Sequence, residues 1–219
     1  FATPEGWMAL PANTEGSPLA VHGSAWQQPW HVVEQDARSV RLRLESQVPF
    51  AYHAEQCIRL DEGCLSIELS VTHRDPQPAW HGLGLHPYFV RTPATRVTAR
   101  ANQVWLCDEQ QLSTQLSELP AAWDLRQGNG LPHDRVDNAF TGWDGVCRIE
   151  QEDAGYHLDC RGEGFGYYLL FCPPGQPFFC FEPVSHPVNA HHLPGQPGLV
   201  LLREGQSHQA LWRMQYVAH

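Results

Sequence analysis

The sequence predicts an all-β chain folded as an antiparallel β-sandwich. Three observations carry this. Several segments alternate apolar and polar residues with a period of two. The 18 Gly and 18 Pro are scattered along the chain, as expected for many short strands joined by turns. No β-α-β alternation, internal repeat or low-complexity linker is visible.

The elements follow in chain order. Val40, Leu42 and Leu44 alternate with Arg41, Arg43 and Glu45, which reads as a half-buried strand. Leu65, Ile67, Leu69 and Val71 alternate with Ser66, Glu68, Ser70 and Thr72 in the same way. Asp61-Glu62-Gly63 before them is a turn signal. Leu112, Leu116 and Leu119 have helical spacing, so a helix of about two turns is expected there, ended by Pro120, which lacks the next donor. Tyr167–Cys172 and Phe178–Phe181 are nearly continuous apolar runs, expected as strands buried on both faces. Leu199–Arg203 and Ala210–Val217 read as a final hairpin around Glu204-Gly205-Gln206. Long loops are expected at His73–His81 and Gln127–Arg135. All 219 residues read as one domain.

Composition narrows the function classes. A net charge of -10 repels phosphate backbones, so nucleic acid is not an expected partner. Eight Trp and 13 His suit an uncharged, hydroxyl-rich small molecule, since indole faces stack on apolar sugar faces and imidazoles donate and accept near neutral pH. The seven Cys have no paired CxxC spacing, which points to reduced thiols and a cytoplasmic location. No apolar run has the length of a membrane span, so no membrane partner is expected.

Four segments place polar side chains inside apolar or Gly- and Pro-punctuated stretches. They are Val21–Trp30, Trp80–Phe89, Val136–Trp143 and Phe178–Pro187. Glu182 follows four apolar residues and precedes Pro183. A carboxylate there is costly unless paired or functional, and desolvation would make it a better base. His86 sits in a Gly-flanked context where backbone can approach a ligand, although a core His bonded to a carbonyl fits the local sequence too. His22 before Gly23 is similar, and Asp137 is equally compatible with a turn residue.

Taken in order, His22-Gly23-x-x-Trp26, Gly82-x-x-x-His86-Pro87-Tyr88-Phe89, Asp137-x-x-Phe140-Thr141-Gly142-Trp143 and Phe181-Glu182-Pro183 resemble the aldose 1-epimerase family. The resemblance implies a galactose-mutarotase-like sandwich, N-terminally short relative to the family. It implies Glu182 as catalytic base and His86 as catalytic acid, with His22 and Asp137 binding the sugar. Trp26, Tyr88 and Trp143, beside these motifs, are expected as substrate-binding walls. Neither metal nor nucleotide cofactor is implied. Only 21 residues precede His22, so the sugar-contacting Arg of the family's upstream strands is not assigned to any residue of this sequence, which is either a fragment or has a smaller sheet. Ser24, Ala25 and Trp26 stand where the branch acting on hexose phosphates carries an Arg, which favours a free aldose.

Three other readings compete. A sugar-binding module without turnover would keep the aromatic pocket and need no base. His186, His191 and His192 are close in sequence but match no zinc spacing. Cys180 shares the face of Glu182 by period two, yet buried Cys is commonly inert.

Overall fold

The computed structural model describes residues 1–219, and its strands all pair antiparallel. A nine-stranded sheet runs, edge to edge, through Asn129–Gly130, Thr95–Ala99, Val146–Gln151, Tyr156–Glu163, Ser207–Ala218, Cys64–His73, Tyr52–Asp61, Ser39–Ser46 and His31–Gln35. A six-stranded sheet runs through Ser113–Glu118, Gln103–Cys107, Val136–Thr141, Tyr167–Cys172, Phe178–Val184 and Tyr88–Val90. Two two-stranded ladders, Ala2–Thr3 with Gly6–Trp7 and Ala79–His81 with Val200–Leu202, complete the strands. Helix is confined to four three-residue 3-10 turns, and no helix is long and apolar enough to cross a membrane.

One core joins the inner faces of the two large sheets. Leu44, Ala54, Leu69, Val97, Ile149 and Trp212 come from the larger sheet, and Val104, Phe140, Tyr168, Leu170 and Phe181 from the smaller. Phe140, Tyr168 and Phe181 stack in sequence, at centroid separations of 4.8 and 4.5 Å. The alternating segments around residues 40–45 and 65–72 are both strands, separated in the sheet by Tyr52–Asp61. Glu62 and Gly63, at φ 48° and 76°, make the tight left-handed turn between two of them.

Two expectations are corrected. Leu112–Leu119 contains no helix: Ser113–Glu118 is an edge strand paired to Gln103–Cys107, with Leu116 opposite Trp105. A spacing of three and four also places apolar residues along an irregular edge, and pairing outweighs the weak helix propensity of Ser and Thr. The chain does reverse at Gly205, but its two sides join different ladders. Val200–Leu202 pairs with Ala79–His81, while Ser207–Ala218 inserts between Tyr156–Glu163 and Cys64–His73. Local alternation identifies strands without identifying their partners.

Candidate active site

The outer face of the six-stranded sheet carries Asp137 and Glu182. Phe179 and Phe181 point into the core, so by alternation Cys180 and Glu182 point the other way. Asp137, Phe171, Cys180 and Tyr88 form one cross-strand row on that outer face.

His86 reaches Glu182 because two backbones approach closely. Gly84 bridges to Val184 outside the main ladder. The Leu85 N–H donates to the Pro183 carbonyl at 3.1 Å, and Ser185 N–H donates to Leu83 O at 2.8 Å. The Ser185 hydroxyl accepts from Leu83 N–H at 2.9 Å. This short ladder sets residue 86 beside residue 182, and His86 Nε2 lies 3.3 Å from Glu182 Oε1. The Glu182 side chain is 7% exposed and that of His86 30%, so the pair opens to solvent on the imidazole side.

His22 packs edge-on to His86, with ring centroids 4.9 Å apart. It adopts φ 58°, uncommon for a residue with a β-carbon. Asn13 holds this turn from both sides. Its amide donates to the carbonyls of Val21 and Gly23, at 2.9 and 3.0 Å, and its Oδ1 accepts from Val21 N–H at 2.8 Å. Nothing in the local sequence singles out Asn13; its role appears only when the loop closes over eight to ten residues. Trp26 stands against His22 at 5.7 Å and is 48% exposed, while Tyr88 stacks on His86 at 5.0 Å. Asp137 completes the group, its Oδ2 accepting from Arg135 Nη2 at 3.1 Å.

Electrostatics separates the pair. Burial, reinforced by the Asp137 charge, pushes the Glu182 carboxyl up to about 8. Burial lowers His86, partly opposed by its own backbone hydrogen bond and by Asp137. His22 is lowered by burial and by His86. Asp137 is raised by burial, against Arg135 and His86. Near neutral pH these directions favour the uncharged pair, a carboxylic acid beside a neutral imidazole.

The structure therefore brings together His22, Trp26, His86, Tyr88, Asp137 and Glu182. Trp143 is elsewhere. It packs on the inner face against Tyr168, Phe181 and Trp212, and its indole N–H donates to Val146 O at 2.8 Å. The large apolar ring is used for the core, on the opposite side of the sheet from Glu182. Trp30 likewise packs against the core. His186 fills the space over Gly82, where a β-carbon would meet its ring. His191 packs on Phe1 and His192 near Trp7. These three histidines do not converge as metal ligands.

Comparison with known proteins gives a consistent set of relatives. The family model described as Aldose 1-epimerase matches residues 7–215. An uncharacterized protein of Escherichia coli K12, YphB, is 34% identical over 208 residues, spanning 90% of this chain and 72% of that protein. A crystal structure of a candidate aldose 1-epimerase from Escherichia coli K12 superposes with a TM-score of 0.92 at 32% identity, covering 97% of this chain and 76% of the other. A galactose mutarotase-like protein from Clostridium acetobutylicum shares the fold, with a TM-score of 0.83 at 14% identity over 97% of this chain and 73% of its own.

Proposed function

Because the chain belongs to the aldose 1-epimerase family, we propose that it interconverts the α and β anomers of a free aldose by acid–base opening and closing of the sugar ring. The observation that carries this reading is the 3.3 Å approach of His86 Nε2 to Glu182 Oε1 in a site walled by His22, Trp26 and Tyr88. Anomer exchange needs two groups able to trade one proton across a single ring, and little else.

The steps balance on these two residues. The proton that the free site keeps on Glu182 first passes to His86 across the 3.3 Å gap; with His86 then imidazolium and Glu182 carboxylate, Glu182 removes the proton of the anomeric hydroxyl while His86 protonates the ring oxygen. The C1–O5 bond breaks and an aldehyde forms. The pair is then neutral imidazole and carboxylic acid, the form burial favours in the free site. After rotation about C1–C2, the same transfers run backward and close the ring on the other face. The pair ends with the protons it began with, so turnover needs no external acid, base or cofactor.

The remaining residues bind and orient. Asp137 accepts from sugar hydroxyls and favours the imidazolium of His86. His22 donates to the substrate, and Trp26 and Tyr88 offer ring faces to its apolar side. Arg135, the cation beside this group, already donates to Asp137, in keeping with an uncharged aldose. The test is polarimetry on freshly dissolved α-anomers of glucose, galactose and several pentoses. Faster decay of rotation with at least one of them supports the reading. Tight binding without acceleration on any aldose would favour a sugar-binding module.

A further inference from the structure

We propose that this site also takes a thiophilic divalent cation of the zinc class, held by His86, Cys180 and Glu182, and that cation and sugar exclude one another. The cation site goes beyond the catalytic reading; only the mutual exclusion rests on it.

Three ligand atoms of different chemistry converge here. One nitrogen of His86, the sulfur of Cys180 and one oxygen of Glu182 all lie within 4.8 Å of one another. No other three His, Cys, Asp or Glu side chains in the chain meet this way, despite 13 His and seven Cys. Ligands come from two segments far apart in sequence, fixed to each other by the Gly84–Val184 bridge. Cys180 and Glu182 are alternate residues of one strand and so share its outer face.

The geometry is close to what a tetrahedral ion requires. Nitrogen and oxygen ligands about 2.0–2.1 Å from zinc stand about 3.3 Å apart, and nitrogen and sulfur about 3.6 Å apart. The His86–Glu182 separation is already 3.3 Å. The sulfur, within 4.8 Å of both partners, needs a shift of no more than about 1.2 Å, within the reach of side-chain rotation. Three protein ligands leave a fourth position facing the open, imidazole side of the site. A mixed sulfur, nitrogen and oxygen set suits zinc or cobalt and disfavours magnesium and calcium. The cation would occupy the lone pairs that proton transfer uses, so it acts as an inhibitor rather than a cofactor. Cys180 has no part in the proton transfers, so the two functions can be separated by mutation.

The experiment titrates the chelator-treated 219-residue chain with Co2+, then Zn2+, with Mg2+ and Ca2+ as controls. One Co2+ per chain, with a thiolate-to-cobalt absorption band and the visible bands of a tetrahedral ion, is expected. Zinc should displace it and stop mutarotation, and saturating aldose should weaken cobalt binding. Cys180→Ser should keep its mutarotation rate, lose the thiolate band and bind zinc at least about tenfold more weakly. Absence of the band in the unmutated protein, or its persistence in Cys180→Ser, would overturn the proposal. So would zinc inhibition equal in the two proteins. The cobalt spectrum decides the cation site even if no aldose is turned over, so the two readings fail separately.

Discussion

Gly84 lies against Val184 so closely that a β-carbon on the glycine would come within 2.9 Å of Val184 Cγ1. That contact is what sets His86 beside Glu182. Gly84→Ala should therefore spread the two segments, costing about 1–3 kcal/mol of stability by overpacking. Turnover should fall further, about a hundredfold, because a displacement of about 1 Å at a reacting pair is that costly. Polarimetry on the folded variant, with a parallel thermal melt, checks this; an unchanged rate would show that the approach is not what positions the pair.

Glu182→Gln keeps the size of the side chain and removes the base. Mutarotation should drop about a hundred- to ten-thousand-fold while calorimetry still detects sugar binding. His86→Asn should fall by a similar factor, since a neutral amide cannot protonate the ring oxygen. Near-normal mutarotation by Glu182→Gln would refute the mechanism without touching the fold.

Asn13 acts through His22. Asn13→Ala removes three hydrogen bonds that hold a backbone in the left-handed region. KM should rise by roughly tenfold, in line with about 1–2 kcal/mol of lost positioning, with kcat changed less. A fall in kcat at constant KM would instead place His22 in the chemical step.

The two tryptophans beside the motifs should separate cleanly. Trp26→Ala, on the exposed wall, should raise KM with little change in melting temperature. Trp143→Phe, inside the core, should lower stability by about 1–3 kcal/mol through incomplete filling and loss of its hydrogen bond, with KM unchanged. A raised KM in Trp143→Phe would restore that residue to the sugar site.

Acid should unfold the protein through histidines outside the His86–Glu182 pair. His81 is lowered to about 3, by burial and then by its neighbours His73, His208 and His191. His191 is lowered to about 4, by burial first and then His186. The native state keeps both neutral where an unfolded chain, near 6.5, takes up protons. Stability from these groups is thus complete above about pH 6.5 and declines as pH falls toward their native values. The slope approaches about 1.4 kcal/mol per pH unit for each group. Urea titrations at pH 7 and pH 5 read the difference, and His81→Gln should shrink it. Equal stability at both pH values would sink this account.

The sequence made the strands legible wherever one face was buried and the other wet, as in Val40–Glu45 and Leu65–Thr72. It could not show that Ser113–Glu118 is an edge strand, because its pattern is set by a partner strand and not by its own period. Glu182 stood out locally as a carboxylate ending an apolar run, whereas His22, His86 and Asp137 were singled out only by the resemblance of their four segments, in order, to the family. Which aromatics serve the site was not legible, since Trp26 and Trp143 look alike until the two faces of the sheet are distinguished. Asn13 and the Gly84–Val184 approach depend on chain closure, which leaves no local mark.

Under the proposed function, the bridge between Gly84 and Val184 would also make catalysis a late event in the life of the chain. Nearly half the polypeptide lies between the two halves of the proton-exchanging pair, and that stretch supplies both sheets with strands. Each half alone is a weak catalyst, because a lone imidazole or a lone carboxyl supplies only one of the two proton transfers. Closing so long a loop costs entropy that only the assembled sheets recover. Recovery of mutarotation during refolding should accordingly trail the appearance of β-structure, which makes activity a reporter of completed assembly.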